Sequence, residues 1–168
     1  LGPTFAGAKT SLIHRYVYGS FPTVAEPTLG AYFLSKEIVV DGAKLNMNLW
    51  GLSTLANIHL RASYNTAKQR TDTSGQEPFN TLVPLFARGA QIVLMCIDVT
   101  NAKSLEECRA FKKMVDDCRL EHSVVVGVGN KIDLAGQRAV STEEARKFFE
   151  GLGVMRYFEA SALTGEGV

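Results

Sequence analysis

The sequence predicts an α/β fold built around a largely parallel sheet. Short apolar runs that are typical of strands alternate along the chain with amphipathic runs that are typical of helices. Three of the strand-like runs, near residues 91–98, 123–129 and 154–160, are rich in Val, Ile, Leu, Met and Phe. Strands of this composition are usually covered on both faces, so we expect helices on each side of the sheet.

Five strands are assigned from these runs, and the first two are expected to form an antiparallel hairpin. The residues between them, Asp41-Gly42, are a preferred pair for a two-residue turn. The predicted strands are about Ala31–Val40, Lys44–Trp50, Gln91–Asp98, Ser123–Gly129 and Val154–Ala160.

Four helices are assigned from the amphipathic runs. Two of them begin with a capping box, in which a hydroxyl cap is followed by a carboxylate in the first turn. These boxes are Ser104 with Glu107 and Ser141 with Glu144. The predicted helices are about Lys9–Tyr18, Phe79–Arg88, Ser104–Leu120 and Ser141–Leu152.

An Asn-Lys-x-Asp tetrapeptide, Asn130-Lys131-Ile132-Asp133, follows the fourth strand-like run. The Asp133 carboxylate can accept hydrogen bonds from both the ring N–H and the exocyclic amine of guanine, whereas adenine has no amine at that position. The wrong base would leave a partly buried charge unpaired, and sites of this kind discriminate by roughly 10⁴-fold or more. An ordinary turn also fits the tetrapeptide, so the prediction of guanine binding depends on the rest of the chain.

A second motif, at residues 2–12, is similar to a phosphate-binding loop that leads into a helix. In such loops backbone N–H groups and the helix amino terminus hold the phosphates, a lysine reaches the β and γ groups, and a Ser or Thr hydroxyl binds Mg²⁺. Lys9 and Thr10 would have those two roles. The candidate nucleotide-binding residues here are Gly7, Ala8, Lys9, Thr10 and Ser11.

This loop departs from the regular pattern Gly-x4-Gly-Lys-Ser/Thr. Ala8 lies where the last glycine belongs, so either one residue is inserted or three positions are substituted. In the ungapped frame Pro3 contributes no N–H, and Phe5 places a large ring beside the γ-phosphate. A turn rich in Gly and Ala before an apolar helix is the alternative interpretation.

A third motif, at residues 72–77, combines three groups that phosphoryl transfer uses. Asp72 can join the Mg²⁺ shell, the Gly75 N–H can reach the γ-phosphate, and Gln76 can orient the attacking water. Gln76 is therefore the candidate catalytic residue.

A fourth motif, at residues 159–163, follows the last predicted strand. It can present the Ala162 N–H to the carbonyl oxygen of guanine, with Ser161 and Leu163 on either side. A strand followed by a turn explains the segment equally well. The four motifs are individually weak, but their order along one chain is specific.

In that order the motifs resemble those of the Ras-like small GTPases and, within them, the Rab family. By this resemblance Thr28 looks like the first-switch threonine that binds Mg²⁺, and Phe21 looks like the aromatic that packs on guanine. The metal ligands would then be Thr10, Thr28 and Asp72. Phe33, Trp50 and Phe86 fall where Rab proteins have an aromatic cluster that contacts effectors, although all three are equally explained as partly buried hydrophobes.

The resemblance implies a P-loop NTPase small G domain, with a mostly parallel six-stranded sheet and helices on both faces. It also implies GTP or GDP and Mg²⁺ as ligands, and effectors, an exchange factor and a GTPase-activating protein as partners. Such a protein acts in vesicular traffic, is cytoplasmic and peripheral on endomembranes, and reaches the membrane through a lipidated tail.

Residues 51–71 are the largest departure from the family pattern. Joining Trp50 directly to Asp72 would restore a regular junction, so we interpret these residues as an atypical insertion in a single domain spanning 1–168. They are polar and basic without a sustained period, which favours a surface excursion or disorder. A non-coding segment retained in the gene model is an alternative.

Both ends are also expected to be incomplete by comparison with the family. The strand that should precede the phosphate loop is largely missing, and the chain stops before the family's final helix and lipidated cysteine tail. A sheet without its middle strand would expose unpaired edges, which favours aggregation or the borrowing of a strand from another molecule.

Composition excludes some other classes of protein. The formal charge of +1 argues against a nucleic-acid binder, and no apolar run is long enough to span a bilayer. We expect a soluble intracellular domain with reduced structural thiols, because the three cysteines have neither disulfide-framework nor zinc spacing.

Two classes of function remain. The first is a regulatory GTPase in which the γ-phosphate orders two switch segments, with slow hydrolysis because Phe5 crowds Gln76. The second is a degenerate module that binds nucleotide or protein partners without hydrolysis. A nonfunctional fragment is a further alternative, and an ATP-dependent kinase is disfavoured by Asn130-Lys131-Ile132-Asp133.

Overall fold

The structure, a computed structural model, describes residues 7–22, 32–51, 55–62, 90–117 and 123–168. These residues contain six strands, three α-helices and one short 3₁₀ helix at Ala135–Gln137. The helices are α1 (Gly7–Tyr18), α2 (Lys103–Asp117) and α3 (Thr142–Gly151). The strands are β1 (Tyr32–Val40), β2 (Ala43–Gly51), β3 (Leu55–Ala62), β4 (Ile92–Asp98), β5 (Val124–Asn130) and β6 (Tyr157–Ala160).

The six strands form one sheet in the order β1-β2-β3-β4-β5-β6. The pairings from β1 to β4 are antiparallel, whereas β4-β5 and β5-β6 are parallel. The α/β class is confirmed, and all five strands predicted from the sequence form. The sixth strand is β3, which was not predicted. The sheet is mixed where a mostly parallel one was predicted, because β3 runs antiparallel to both of its neighbours.

The position of β3 corrects the expectation for residues 51–71. Residues 51–71 were predicted to be a surface excursion or disordered, and that prediction was wrong for Leu55–Ala62. These residues pair with β2 from Leu45 to Gly51 and with β4 from Ile92 to Met95. A strand between two neighbours satisfies its backbone groups on both edges, and this explains why an irregular sequence becomes a strand here.

The predicted hairpin between the first two strands is confirmed. Val40 pairs with Ala43, and the two residues between them have positive φ angles, 50° at Asp41 and 78° at Gly42. Two consecutive positive φ angles define the tight turn whose twist matches that of the flanking strands.

Helices cover both faces of the sheet, as predicted. On one face Val93, Met95 and Ile97 of β4 pack with residues of α2 and α3, including Phe111 and Phe149. On the other face Leu12 and Ile13 of α1 pack against the alternate residues of the sheet, among them Cys96, Val128 and Leu49. The alternation along β4 follows from the period of two in strands.

The two predicted capping boxes have different outcomes. Ser141 caps α3, and its Oγ accepts from the Glu144 N–H at 3.2 Å. The cap at Ser104 was wrong, because Ser104 lies inside α2 and is fully buried. Its Oγ donates to the carbonyl of Asp98 at 3.1 Å, so a tertiary contact replaces the local one.

Other boundaries agree with the predictions to within about three residues, the largest shift being the start of β6 at Tyr157. The helix predicted near 79–88 lies outside the described residues. None of the helices in the described ranges is long and apolar enough to cross a membrane.

Cys96 and Cys108 are buried free thiols. Burial raises the pKa of Cys96 to about 11 and that of Cys108 to about 12, so both stay protonated at neutral pH.

Candidate functional site

Two loops at the carboxyl edge of the parallel strands contain most of the predicted base-binding residues. Asn130 is the last residue of β5, and Ser161 follows β6 directly. The two strands are parallel, with Asn130 paired to Ala160, so both loops leave the same edge of the sheet. Ligands of open α/β sheets bind at this edge.

Asn130 connects the two loops. It is 1% exposed, and its Oδ1 accepts from the Lys131 N–H at 2.8 Å and from the Ala162 N–H at 3.1 Å. The Ala162 N–H was predicted to face the carbonyl of guanine. In this structure it donates to Asn130, so guanine would have to share or replace that bond.

Asp133 and Ser161 form the second link between the loops. Ser161 is fully buried, and its Oγ donates to Asp133 Oδ1 at 2.5 Å while accepting from the Thr164 N–H at 3.1 Å. A carboxylate offers about four lone-pair sites, so this bond leaves Asp133 able to accept the two N–H groups of a guanine edge.

Lys131 has a backbone conformation that its side-chain contact supports. Its φ is 73°, a region that few residues other than glycine adopt. Its Nζ forms an ion pair with Asp98 Oδ2 at 2.6 Å, and Thr100 donates to the other oxygen of Asp98. Burial alone would raise the pKa of Asp98, but the hydrogen bonds from Lys131 and Thr100 hold that pKa below its ordinary value. The charged carboxylate is therefore the stable form.

The predicted phosphate-site residues lie at the start of α1. The helix begins at Gly7, so Ala8, Lys9 and Thr10 occupy its first turn, where backbone N–H groups lack helical partners and the dipole favours anions. Ser11 is buried one position further. These residues fit a phosphate group.

Lys9 has a buried side chain, 1% exposed, close to β4 and α2. Burial lowers its pKa, although the neighbouring Cys96, Glu107 and Cys108 act in the opposite direction. An anion beside a buried ammonium favours its charged form, so the chemistry at Lys9 suits a phosphate oxygen.

A model of the Ras family matches this chain over residues 1–56 and 54–168. The chain belongs to the Ras family. It is therefore a GTP-binding small GTPase switch of the α/β small G domain class. The first match ends and the second begins inside the segment 51–71, which contains the whole of β3.

Of the three Mg²⁺ ligands predicted for this Ras-family chain, Thr10 lies within the described residues. Thr10 carries a hydroxyl oxygen, which is a hard donor of the kind that Mg²⁺ prefers, and it is half-buried in the first turn of α1. Within the described ranges no group of three or more His, Cys, Asp or Glu side chains could hold a metal. An ion there would depend on Thr10 together with phosphate oxygens and other ligands.

Several predicted functional residues fall outside the described ranges. They are Phe5, Thr28, Asp72, Gly75, Gln76 and Phe86. Phe21 lies just beyond the end of α1 and is 37% exposed, and Leu163 is 51% exposed. Both apolar side chains are exposed enough to contact a planar base.

Sequence reasoning missed two residues of the site, Arg15 and Asp98. Arg15 donates to the carbonyls of Ala162 and Leu163, and Asp98 holds Lys131. A charged residue at the end of a strand that is otherwise apolar was the available signal for Asp98. Arg15 gave no such signal, because basic residues are common in the last turn of a helix.

Proposed function

We propose that this small GTPase is a Rab-type switch in vesicular traffic that binds GTP and GDP with Mg²⁺ and hydrolyses GTP slowly. The contact that supports guanine recognition best is the link between the two base loops. Asn130 Oδ1 accepts from the Ala162 N–H, and Asp133 Oδ1 accepts from Ser161 Oγ. The bond from Ser161 orients Asp133 before any ligand arrives, which lowers the ordering cost of binding. The bond from Ala162 holds the second loop in place, and guanine would share or replace it.

The proposed switch depends on the third phosphate. Thr10, Thr28 and Asp72 would hold Mg²⁺, and the Gly75 N–H would meet the γ-phosphate. Loss of that phosphate on hydrolysis would release the segments that carry Thr28 and Gly75. Mg²⁺ would supply charge neutralisation at the phosphates.

The proposed Rab-type partners are effectors, an exchange factor and a GTPase-activating protein. Phe33 of β1 supports this part of the proposal, because it is 46% exposed on an edge strand where an aromatic side chain can anchor a partner. Trp50 pairs with Phe33 in the register of β1 and β2. A cytoplasmic location, peripheral on endomembranes through a lipidated tail, belongs to the same proposal.

Slow hydrolysis is proposed because of Phe5 and Ala8. A phenyl ring at position 5 would crowd Gln76 and the space that an activating arginine uses, and the help of that arginine is worth roughly 10³ to 10⁵ in rate. We expect Phe5→Gly to raise single-turnover GTP hydrolysis, with Phe5→Leu as the control that keeps a bulky side chain. Turnover at an ordinary family rate that Phe5→Gly does not change would refute the proposal.

State-dependent binding tests the switch itself. The chain would be loaded with Mg²⁺ and either GDP or a non-hydrolysable GTP analogue, and the hydrogen exchange of residues 23–31 and 72–77 would be compared. We expect slower exchange with the GTP analogue. Equal exchange in both states, with tight binding of both, would favour the alternative of a non-hydrolysing nucleotide-binding module.

A further inference from the structure

Arg15 connects the helix of the phosphate site to the loop of the base site. It lies in the last turn of α1, and its guanidinium donates to three backbone carbonyls. Nε donates to the Ala162 carbonyl at 2.8 Å, Nη1 to the Gly19 carbonyl at 2.7 Å and Nη2 to the Leu163 carbonyl. One side chain therefore joins the end of α1 to two consecutive residues of the loop after β6.

Ala162 is fixed on both sides by these contacts. Its N–H donates to Asn130 Oδ1 at 3.1 Å, and its carbonyl accepts from Arg15. Ala162 itself is 4% exposed. Gly165, in the same loop, lies against the Arg15 side chain, since a Cβ added there would be 3.6 Å from Arg15 Cδ. The guanidinium therefore fills the space between α1 and the loop.

We propose that Arg15 is a positioning residue for guanine recognition. It holds Ala162 so that the Ala162 N–H can reach the 6-carbonyl oxygen of the base, and it ties this contact to the helix whose first turn holds phosphate. The proposal rests on the proposed function. Arginine suits the task because its planar fork can donate to several carbonyls at once, whereas lysine offers a single point charge.

The test compares two nucleotides that differ at the 6-position of the base. GDP has the 6-carbonyl, and 6-thioguanosine diphosphate keeps the ring N–H and the 2-amine but replaces that oxygen by sulfur, a weak acceptor. We expect Arg15→Met to weaken GDP binding about tenfold and to weaken binding of the 6-thio nucleotide clearly less. The affinity of Arg15→Lys for GDP should lie between those of the unaltered chain and of Arg15→Met. Arg146→Met, at an exposed position of α3, is the matched control and should change neither affinity.

Equal losses for the two nucleotides would overturn the proposal, because a purely structural role does not depend on the base. No loss of GDP affinity would also overturn it. If Arg15→Met does not give a native circular dichroism spectrum, the same comparison is made with Arg15→Lys. Failure of the proposed function has a different signature, since the unaltered chain would then bind neither nucleotide.

Discussion

Asp133 makes one observed hydrogen bond and has capacity for the guanine contact. Ser161 Oγ occupies Oδ1 at 2.5 Å, and a carboxylate has further lone pairs for the ring N–H and the amine of guanine. The side chain is thus oriented by a residue that follows a different strand. At this scale the sequence indicated which residue types could bind guanine, but not which neighbour would orient them.

Asp133→Asn should change the base preference of the site. An amide offers a donor where the carboxylate only accepts, so guanine loses a partner for its amine while the 2-carbonyl of xanthine gains one. We expect GDP affinity to fall by roughly 10²-fold or more and xanthosine diphosphate affinity to rise, as measured by competition. Asp117→Asn, at an exposed position, is the control. Unchanged preference would contradict the assigned role of Asp133.

Glu159 should contribute stability that depends on pH. Burial alone would raise its pKa, but hydrogen bonds from Arg138, Thr142 and Tyr157 hold that pKa below 4.5. Arg138 binds both carboxylate oxygens, at 2.9 and 3.0 Å. The contribution is therefore complete above pH 4.5 and is lost as the pH falls through the lowered pKa.

We therefore expect Glu159→Gln to lower the free energy of unfolding by about 1 kcal/mol at pH 7, since the pair is partly exposed. The difference from the unaltered chain should shrink at pH 3, as measured by urea unfolding. Glu143→Gln is the control, because its ion pair with Lys147 is largely exposed. A difference that stays constant with pH would contradict the assignment.

At the scale of elements, local signals predicted what local contacts determine. The turn at Asp41-Gly42 and the cap at Ser141 are decided by residues within a few positions, and both are confirmed. Ser104 matched the capping pattern equally well, but burial and a bond to the Asp98 carbonyl placed it inside α2. Contacts such as Arg15 with Ala162 join residues 147 positions apart, and no local pattern encodes them.

The packing of β5 against α3 depends on a glycine. A Cβ added at Gly127 would lie 2.7 Å from ring atoms of Phe149, which is fully buried. We expect Gly127→Ala to lower the free energy of unfolding by about 1–3 kcal/mol, because a packed core resists extra volume. The matched control is Gly136→Ala, where an added Cβ meets nothing within 4 Å. Equal urea midpoints for the two variants would contradict this account of the contact.

For the whole molecule, β3 completes the sheet between its hairpin half and its parallel half. In the sheet of described strands, β3 lies between β2 and β4 and pairs with both. Sequence analysis identified residues 51–71 as foreign to the family pattern but did not predict a strand there. The strand forms because two long neighbours offer backbone partners, and such pairing is a property of the assembled sheet.

Replacing Asn57 by proline should therefore strongly destabilise the fold. Asn57 pairs with Trp50 on one side and Val93 on the other, and proline there removes a ladder hydrogen bond from a central strand. We expect Asn57→Pro to lower the free energy of unfolding by about 3 kcal/mol or more, whereas Asn57→Ala keeps the N–H and serves as the control. Equal thermal stability of the two variants would show that β3 is not a central strand in solution.

Loops at the carboxyl edge of this sheet are expected to form a guanine-selective site. Titration of the purified chain with fluorescent GDP in Mg²⁺, in competition with unlabelled GDP, GTP and ADP, tests this claim most directly. We expect displacement by GDP and GTP at concentrations at least about 10⁴-fold lower than by ADP. Displacement by ADP as effective as by GDP, or no binding by a folded chain, would contradict it.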